Sequence, residues 1–215
     1  MSELITLNSE SKAIQYLCKK DKRLAKVISM VGPINYCPYE DGFAFLVHEI
    51  IEQMLSIKAG AKIYARLEDL CNGKISVEAI DSLTDEQIRS IGTSSPKVAY
   101  IRGATEAVKS GIIDFSTLPL MNDADVMKNL TSLKGIGNWT AKMYLIFVLD
   151  RPDILPTEDV AFLQAYEWLY KTKDRSKESV EKRCKKWKPY SSVAVRYLYR
   201  ALDNGLTKEE FHLYK

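Results

Sequence analysis

The sequence predicts an all-α protein, and three observations carry that prediction. Apolar residues recur with the helical period: in FAFLVHEIIEQML, Phe43, Leu46, Val47, Ile50, Ile51, Met54 and Leu55 follow the i, i+3, i+4, i+7 rule. An alternating apolar and polar pattern, the mark of a half-buried strand, is hard to find anywhere. Caps and breakers recur at short intervals and divide the chain into roughly ten short helices.

In chain order, Ser9 signals the first helix start and Val31 to Pro33 a break. The amphipathic stretch from Phe43 to Leu55 follows, ahead of a second break at Asn72-Gly73. Asp81 or Thr84, and then Asp123, open further helices. Next comes LKGIGNWTAKMYLIF, Leu133 to Phe147, which sets two glycines two residues apart inside an otherwise helical run. RPDILPTED, Arg151 to Asp159, interrupts the chain, and an amphipathic helix with Phe162, Leu163, Tyr166 and Leu169 resumes behind it. No repeat, low-complexity segment or long linker intervenes, so any lobes are packed lobes.

Bulk properties exclude several classes. At 215 residues the chain suits one domain, or one domain with two lobes, that buries a substantial core. Cys18, Cys37, Cys71 and Cys184 are far apart, with neither a CxxC pair nor a cluster, which points away from zinc and iron–sulfur sites and fits a reducing compartment. MSELITLNSESK lacks the basic start and apolar core of a secretion signal, and no apolar run approaches the ~20 residues that span a bilayer. The net charge of +3 decides little. Its distribution says more, because Lys171 to Lys188 carries nine Lys/Arg against three Asp/Glu. Such a run is either a solvated helix face or a partner for phosphate.

The glycine pair predicts a helix–hairpin–helix. A helix ends near Leu133, Lys134-Gly135-Ile136-Gly137 turns, and a new helix starts near Asn138. Glycines permit a tight turn and let the backbone lie against a ligand with no Cβ between. The helix start beyond offers N–H groups and a positive dipole end, an anion site that suits a DNA phosphate. An ordinary αα-corner capped by Gly135 and Gly137 explains the same pattern. Asp159, at the mouth of its helix, reads on its own as a routine cap.

Taken together, LKGIGNWTA and, about twenty residues on, LPTED resemble the signature of the helix-hairpin-helix DNA glycosylase superfamily, in which the hairpin is followed by a loop ending in an essential Asp. DKRLAKVISMVGP, FAFLVHEIIEQMLSIKAGAKIYARL, SSPKVAYIRGATEAV and KWKPYSSVAVRYLYRAL look like blocks of its 3-methyladenine DNA glycosylase II branch, in the same order. The first twenty or so residues match no block, and the expectation from the resemblance is a chain without the N-terminal β-domain of some bacterial members. The resemblance implies two helical lobes with a base-binding cleft between them, one lobe from about 1–42 and 157–215, the other from about 43–156.

The resemblance also implies a chemistry. Superfamily members that cut the backbone through a Schiff base carry Lys two residues after the second glycine, where this chain has Trp139. An indole forms no imine, so the expectation is a monofunctional enzyme that uses water and leaves an abasic site. Asp159 would stabilise the sugar cation and orient water. An alkylated purine such as 3-methyladenine or 7-methylguanine already carries positive charge and leaves without a second acid. The base must leave the stack to be reached. Trp139, Met143 and Tyr199 are the implied pocket, with Met143 a departure from relatives that are aromatic there. Lys134, Gly135, Ile136, Gly137 and Thr140 of the hairpin, with Gln53, Met54 and Ser56, are the implied DNA contacts. Met54 reads equally as core or as the wedge that fills the vacated stack. His48 reads as a packed or surface histidine, Trp187 and Tyr190 as core aromatics.

The expected partner is double-stranded DNA carrying alkylated bases, met by a monomer in the cytoplasm or nucleus, with no membrane, no metal site and no cofactor beyond a monovalent cation that the hairpin would accommodate. Two rivals stand beside this: a non-catalytic hairpin that only grips phosphates, and a glycosylase for oxidised or mismatched bases.

Overall fold

The computed structural model describes residues 3–214. In chain order they form β1 (Ile5–Leu7), α1 (Lys12–Lys20), α2 (Lys22–Val31), β2 (Ile34–Tyr36), α3 (Gly42–Glu52), α4 (Ile57–Leu70), α5 (Val77–Ser82), α6 (Asp85–Ser90), α7 (Ser95–Lys109), α8 (Asp123–Thr131), α9 (Asn138–Phe147), α10 (Val160–Tyr170), α11 (Lys177–Cys184) and α12 (Ser191–Asp203). The protein is predominantly helical, as its periodicity requires, with one addition. β1 and β2 pair antiparallel in the register Ile5↔Tyr36, Thr6↔Asn35, Leu7↔Ile34. Strands of three residues are too short to display a period of two, which is why the sequence hides them.

Helix starts differ from expectation in detail. Ser11, not Ser9, precedes α1, and Asp81 lies inside α5 while Thr84 caps α6 through a reciprocal capping box with Gln87. Asn122 caps α8, its Oδ1 accepting from the Asp125 N–H at 2.9 Å, so Asp123 is the first helical residue. The stripe of α3 is shorter than its period suggests. Phe43, Leu46, Val47, Ile50 and Ile51 are buried, but the helix stops at Glu52 and leaves Met54 fully exposed and Leu55 partly so.

The chain divides into two compact units, residues 1–38 with 150–215, and residues 39–149. In the first, α12 packs against α1, α2 and α10, burying Val195, Tyr197, Leu198 and Ala201. Asp21 anchors this unit from the interior. Its Oδ1 caps α2, accepting from the Arg23 and Leu24 N–H groups, while Oδ2 accepts from the Tyr170 hydroxyl, the Trp187 indole at 3.0 Å and the Lys186 ammonium at 3.0 Å. Burial alone would raise this carboxyl, but the three donors and the Lys186 charge outweigh it and hold the pKa below the ordinary value. A second network joins Tyr36 and Asp150, the flanks of the chain's two crossings between units. Both residues meet Arg196, whose guanidinium lies 3.9 Å from the Tyr36 ring centroid and donates to Asp150 Oδ1 at 2.8 Å.

In the second unit, α3 is the central helix, contacted by α4, α7 and α9. Its Phe43, Phe45, Leu46, Val47, Ile50 and Ile51 are all buried in that core, and α5 and α6 lean on α7.

Candidate active site and nucleic-acid interface

The hairpin belongs to the second unit. α8 ends at Thr131, Leu133 and Ile136 turn their side chains inward, and α9 begins at Asn138. The two glycines prove unequal. Gly135 adopts φ +91°, and a Cβ there would lie 2.4 Å from the Tyr100 ring, so both conformation and contact demand glycine. Gly137 has φ −96°, a conformation open to any residue, and a Cβ there would meet nothing within 4 Å. As the residue that starts α9 it supplies no side-chain cap, and the backbone there is exposed. Lys134 and Asn138 are exposed beside it, Trp139 is half-buried, and Thr140 and Met143 are buried.

A second segment is tied to this turn. Gln53, the residue just after α3, donates from Nε2 to the Gly135 carbonyl at 2.8 Å. Met54 follows in the left-handed region at φ +59°, its side chain fully in solvent. The Leu55 N–H closes the turn onto the Glu52 carbonyl at 3.0 Å, and Ser56 starts α4 by accepting from the Ala59 N–H at 3.3 Å. A methionine exposed in this way is not core, which removes one of its two readings. The structure thus bonds Gln53 to the hairpin, with Met54 and Ser56 following it in the chain. His48 sits on α3 with Nδ1 3.3 Å from Glu49 Oε1 and Nε2 3.4 Å from Glu52 Oε1. The hydrogen bond with Glu49 raises its pKa, and it is a packed residue edge-on to Tyr64.

Two residues escaped the sequence reading. Lys97, in the first turn of α7, donates to the carbonyls of Ile51 at 2.7 Å and Gln53 at 2.6 Å, and Tyr100 is the ring beneath Gly135. Neither follows from periodicity, since a lysine that serves backbone carbonyls looks in sequence like any surface lysine.

Asp159 and Tyr199 belong to the first unit. Asp159 is 8% exposed and does cap α10: its Oδ1 accepts from the Phe162 N–H at 2.5 Å, with the Asp159 N–H on the Pro156 carbonyl at 3.0 Å. Tyr199 is half-buried on α12, a helix that packs against α10. Trp187 is fully buried, as expected of a core aromatic, and Tyr190 is half-buried, edge-on to Tyr16. The basic run is largely engaged within the unit. Lys171 pairs with Glu210, Arg175 with Glu167, Lys186 with Asp21 and Lys188 with Asp153, while Arg183 lies over the Tyr170 ring. Lys182 and Lys185 are exposed and line a cavity of about 720 Å³ with Asp153, Glu178 and Glu181.

Comparison with known proteins places this geometry. The model of the HhH-GPD superfamily, base excision DNA repair proteins, matches residues 47–189, a span that includes Gln53, the hairpin and Asp159. DNA-3-methyladenine glycosylase 1 of Schizosaccharomyces pombe is 29% identical over 183 residues, 83% of this chain and 80% of that protein. The crystal structure of a DNA-3-methyladenine glycosidase from Bacillus halodurans is 34% identical, with a TM-score of 0.85 and coverage of 97% of both chains. The S. pombe 3-methyladenine DNA glycosylase in complex with abasic DNA gives a TM-score of 0.81 at 27% identity, over 95% of this chain and all of the other.

Proposed function

The chain belongs to the HhH-GPD superfamily of base excision DNA repair proteins, and from that premise we propose that it is a monofunctional DNA glycosylase, a hydrolase that frees alkylated purines from duplex DNA and leaves an abasic site. The observation that carries the reading is Asp159, a buried carboxylate at the start of α10 in the LPTED segment after the hairpin. In the proposed reaction the C1′–N bond breaks with its electron pair passing to the base, which neutralises the charge of a 3-methyladenine or 7-methylguanine leaving group. Asp159 stabilises the positive charge that develops on the sugar, a water oxygen bonds to C1′, and the proton it sheds passes to the carboxylate or to solvent.

Other residues support the parts around this step. Trp139, with no amine to form an imine, supports water as the nucleophile, and its ring supplies a face on which a cationic base gains ~0.5–2 kcal/mol. Met54, exposed on a backbone conformation that costs on the order of 1–3 kcal/mol, supports the wedge reading. The open start of α9 supports a phosphate grip.

Duplexes carrying 3-methyladenine, 7-methylguanine, hypoxanthine or 8-oxoguanine, incubated with the protein and assayed for free base, test the reading. Release of the two methylated purines is expected, with no covalent adduct trapped by borohydride and strand breaks only after alkali. Release of 8-oxoguanine alone, or a trapped adduct, overturns it.

A further inference from the structure

The exposed Met54 needs something to hold it, because a methionine at φ +59° has no local reason to stay there. α3 ends at Glu52, and the last carbonyls of a helix lack partners within it. The Lys97 ammonium fills that place from outside, 2.7 Å from the Ile51 carbonyl and 2.6 Å from the Gln53 carbonyl, a cation at the negative end of a helix. Gln53 is thereby held at both ends, its carbonyl by Lys97 and its amide by Gly135. One turn along the same helix, Tyr100 presses against Gly135. A single turn of α7 therefore braces both the segment that carries Met54 and the hairpin that leads to Gly137.

We propose that Lys97 is a positioning residue that presets Met54 for insertion into the DNA stack, with Tyr100 bracing the hairpin to which that segment is tied; the inference rests on the wedge role of Met54 within the function proposed above. Unstacking a base step is unfavourable, so a wedge that also had to be ordered on contact would insert poorly. Lys97 orders it beforehand. Burial lowers the pKa of the ammonium, as befits a group enlisted by backbone carbonyls rather than left in water.

The test uses a duplex with 2-aminopurine beside a tetrahydrofuran abasic site, in which unstacking brightens the probe on protein binding. Four proteins are compared with wild type: Lys97→Met, Lys97→Arg, Met54→Ala and the double variant Lys97→Met/Met54→Ala. If Lys97 acts through Met54, Lys97→Met lowers the brightening about as far as Met54→Ala does, the double variant is no worse, and affinity for an undamaged duplex stays within about twofold. Lys97→Arg, which keeps the charge and the donors, recovers part of the signal. Wild-type brightening in Lys97→Met, or additive losses in the double variant, overturns the proposal. Should Lys97→Met fail to fold, Lys97→Gln enters the same cycle under the same criterion. The probe holds no alkylated base, so wild-type protein that brightens it yet frees no methylpurine overturns the proposed chemistry alone. Wild-type protein that leaves it dark overturns the wedge and the role of Lys97 together.

Discussion

The starts of α9 and α10 solve the same physical problem in opposite ways. Each helix presents N–H groups without intrahelical partners and the positive end of a dipole. At α10 the protein supplies the anion itself, because the buried Asp159 carboxylate accepts from the Phe162 N–H at 2.5 Å. At α9 the capping position has no side chain to offer: Gly137 stands there, exposed, with open space where a Cβ would stand. A carboxylate already seated at a helix start is available to face a cation, and a bare helix start is available to receive an anion. A glycosylase needs both, one toward the sugar cation and one toward the phosphate.

The sharpest way to break this comparison is Asp159→Asn. Asparagine is as good an N-cap as aspartate, so stability should change by no more than about 1 kcal/mol. Base release should fall by on the order of a hundredfold or more, the size expected when a preorganised electrostatic interaction with the transition state is lost. Thermal melting and single-turnover release of 3-methyladenine, measured on the same preparation, separate the two roles. Full activity in a stable variant would leave Asp159 as a cap only.

Next in size is the contrast inside the hairpin. Gly135→Ala forces a side chain into positive φ and against the Tyr100 ring, and should cost about 2 kcal/mol or more in denaturant unfolding. Gly137→Ala should change stability by only a few tenths of a kcal/mol. Equal losses would mean that both glycines serve the turn and neither the ligand.

These glycines also show how much of the site was legible. The motif LKGIGNWTA located the hairpin, and caps marked the starts of α1, α6 and α8 to within two residues, because such signals act within a few residues of the chain. The sequence could not tell which glycine was demanded by packing, since Gly135 is fixed by a ring thirty-five positions earlier. Periodicity carried Met54 onto the stripe of α3, whereas the helix stops before it, where Gln53 accepts from Lys97 and donates to the Gly135 carbonyl. Asp21, which caps α2, was not picked out as a helix start, and its partners Tyr170, Lys186 and Trp187 lie far along the chain, where only folding brings them together. Local signals were readable; long-range ones were not.

Gly137→Asp would turn the start of α9 into a copy of the start of α10. The backbone conformation suits aspartate, the space is open, and an aspartate caps well, so the variant should be as stable as wild type or slightly more so. Its carboxylate would occupy the place of the phosphate. Affinity should drop roughly tenfold for damaged and undamaged duplexes alike, because phosphate contacts position the protein without reading the base. Titration of both duplexes by fluorescence anisotropy checks the uniformity. A loss confined to the damaged duplex would mean that this helix start shapes the base pocket and does not grip the backbone.

The smallest effect concerns whether the basic run adds to the grip at α9. Most of its cations already face carboxylates or rings within the first unit, and Lys186 in particular neutralises the buried Asp21, so reversing its charge would damage the fold before it reported on DNA. Lys182 and Lys185 are the informative pair, both exposed beside the cavity they share with Asp153. Each phosphate contact contributes ~0.9 to the slope of log K against log[salt] on duplex DNA. Lys182→Gln with Lys185→Gln should therefore flatten the slope by ~0.9 for each lysine that meets a phosphate, and by no more than ~1.8 in all, while melting stays unchanged. In Gly137→Asp the same two substitutions should flatten the slope by the same amount, because side-chain ammonium groups and bare backbone N–H groups would then act on separate phosphates. An unchanged slope would leave anion binding to the start of α9 and make the charges of the run an internal matter of the unit that holds Asp159.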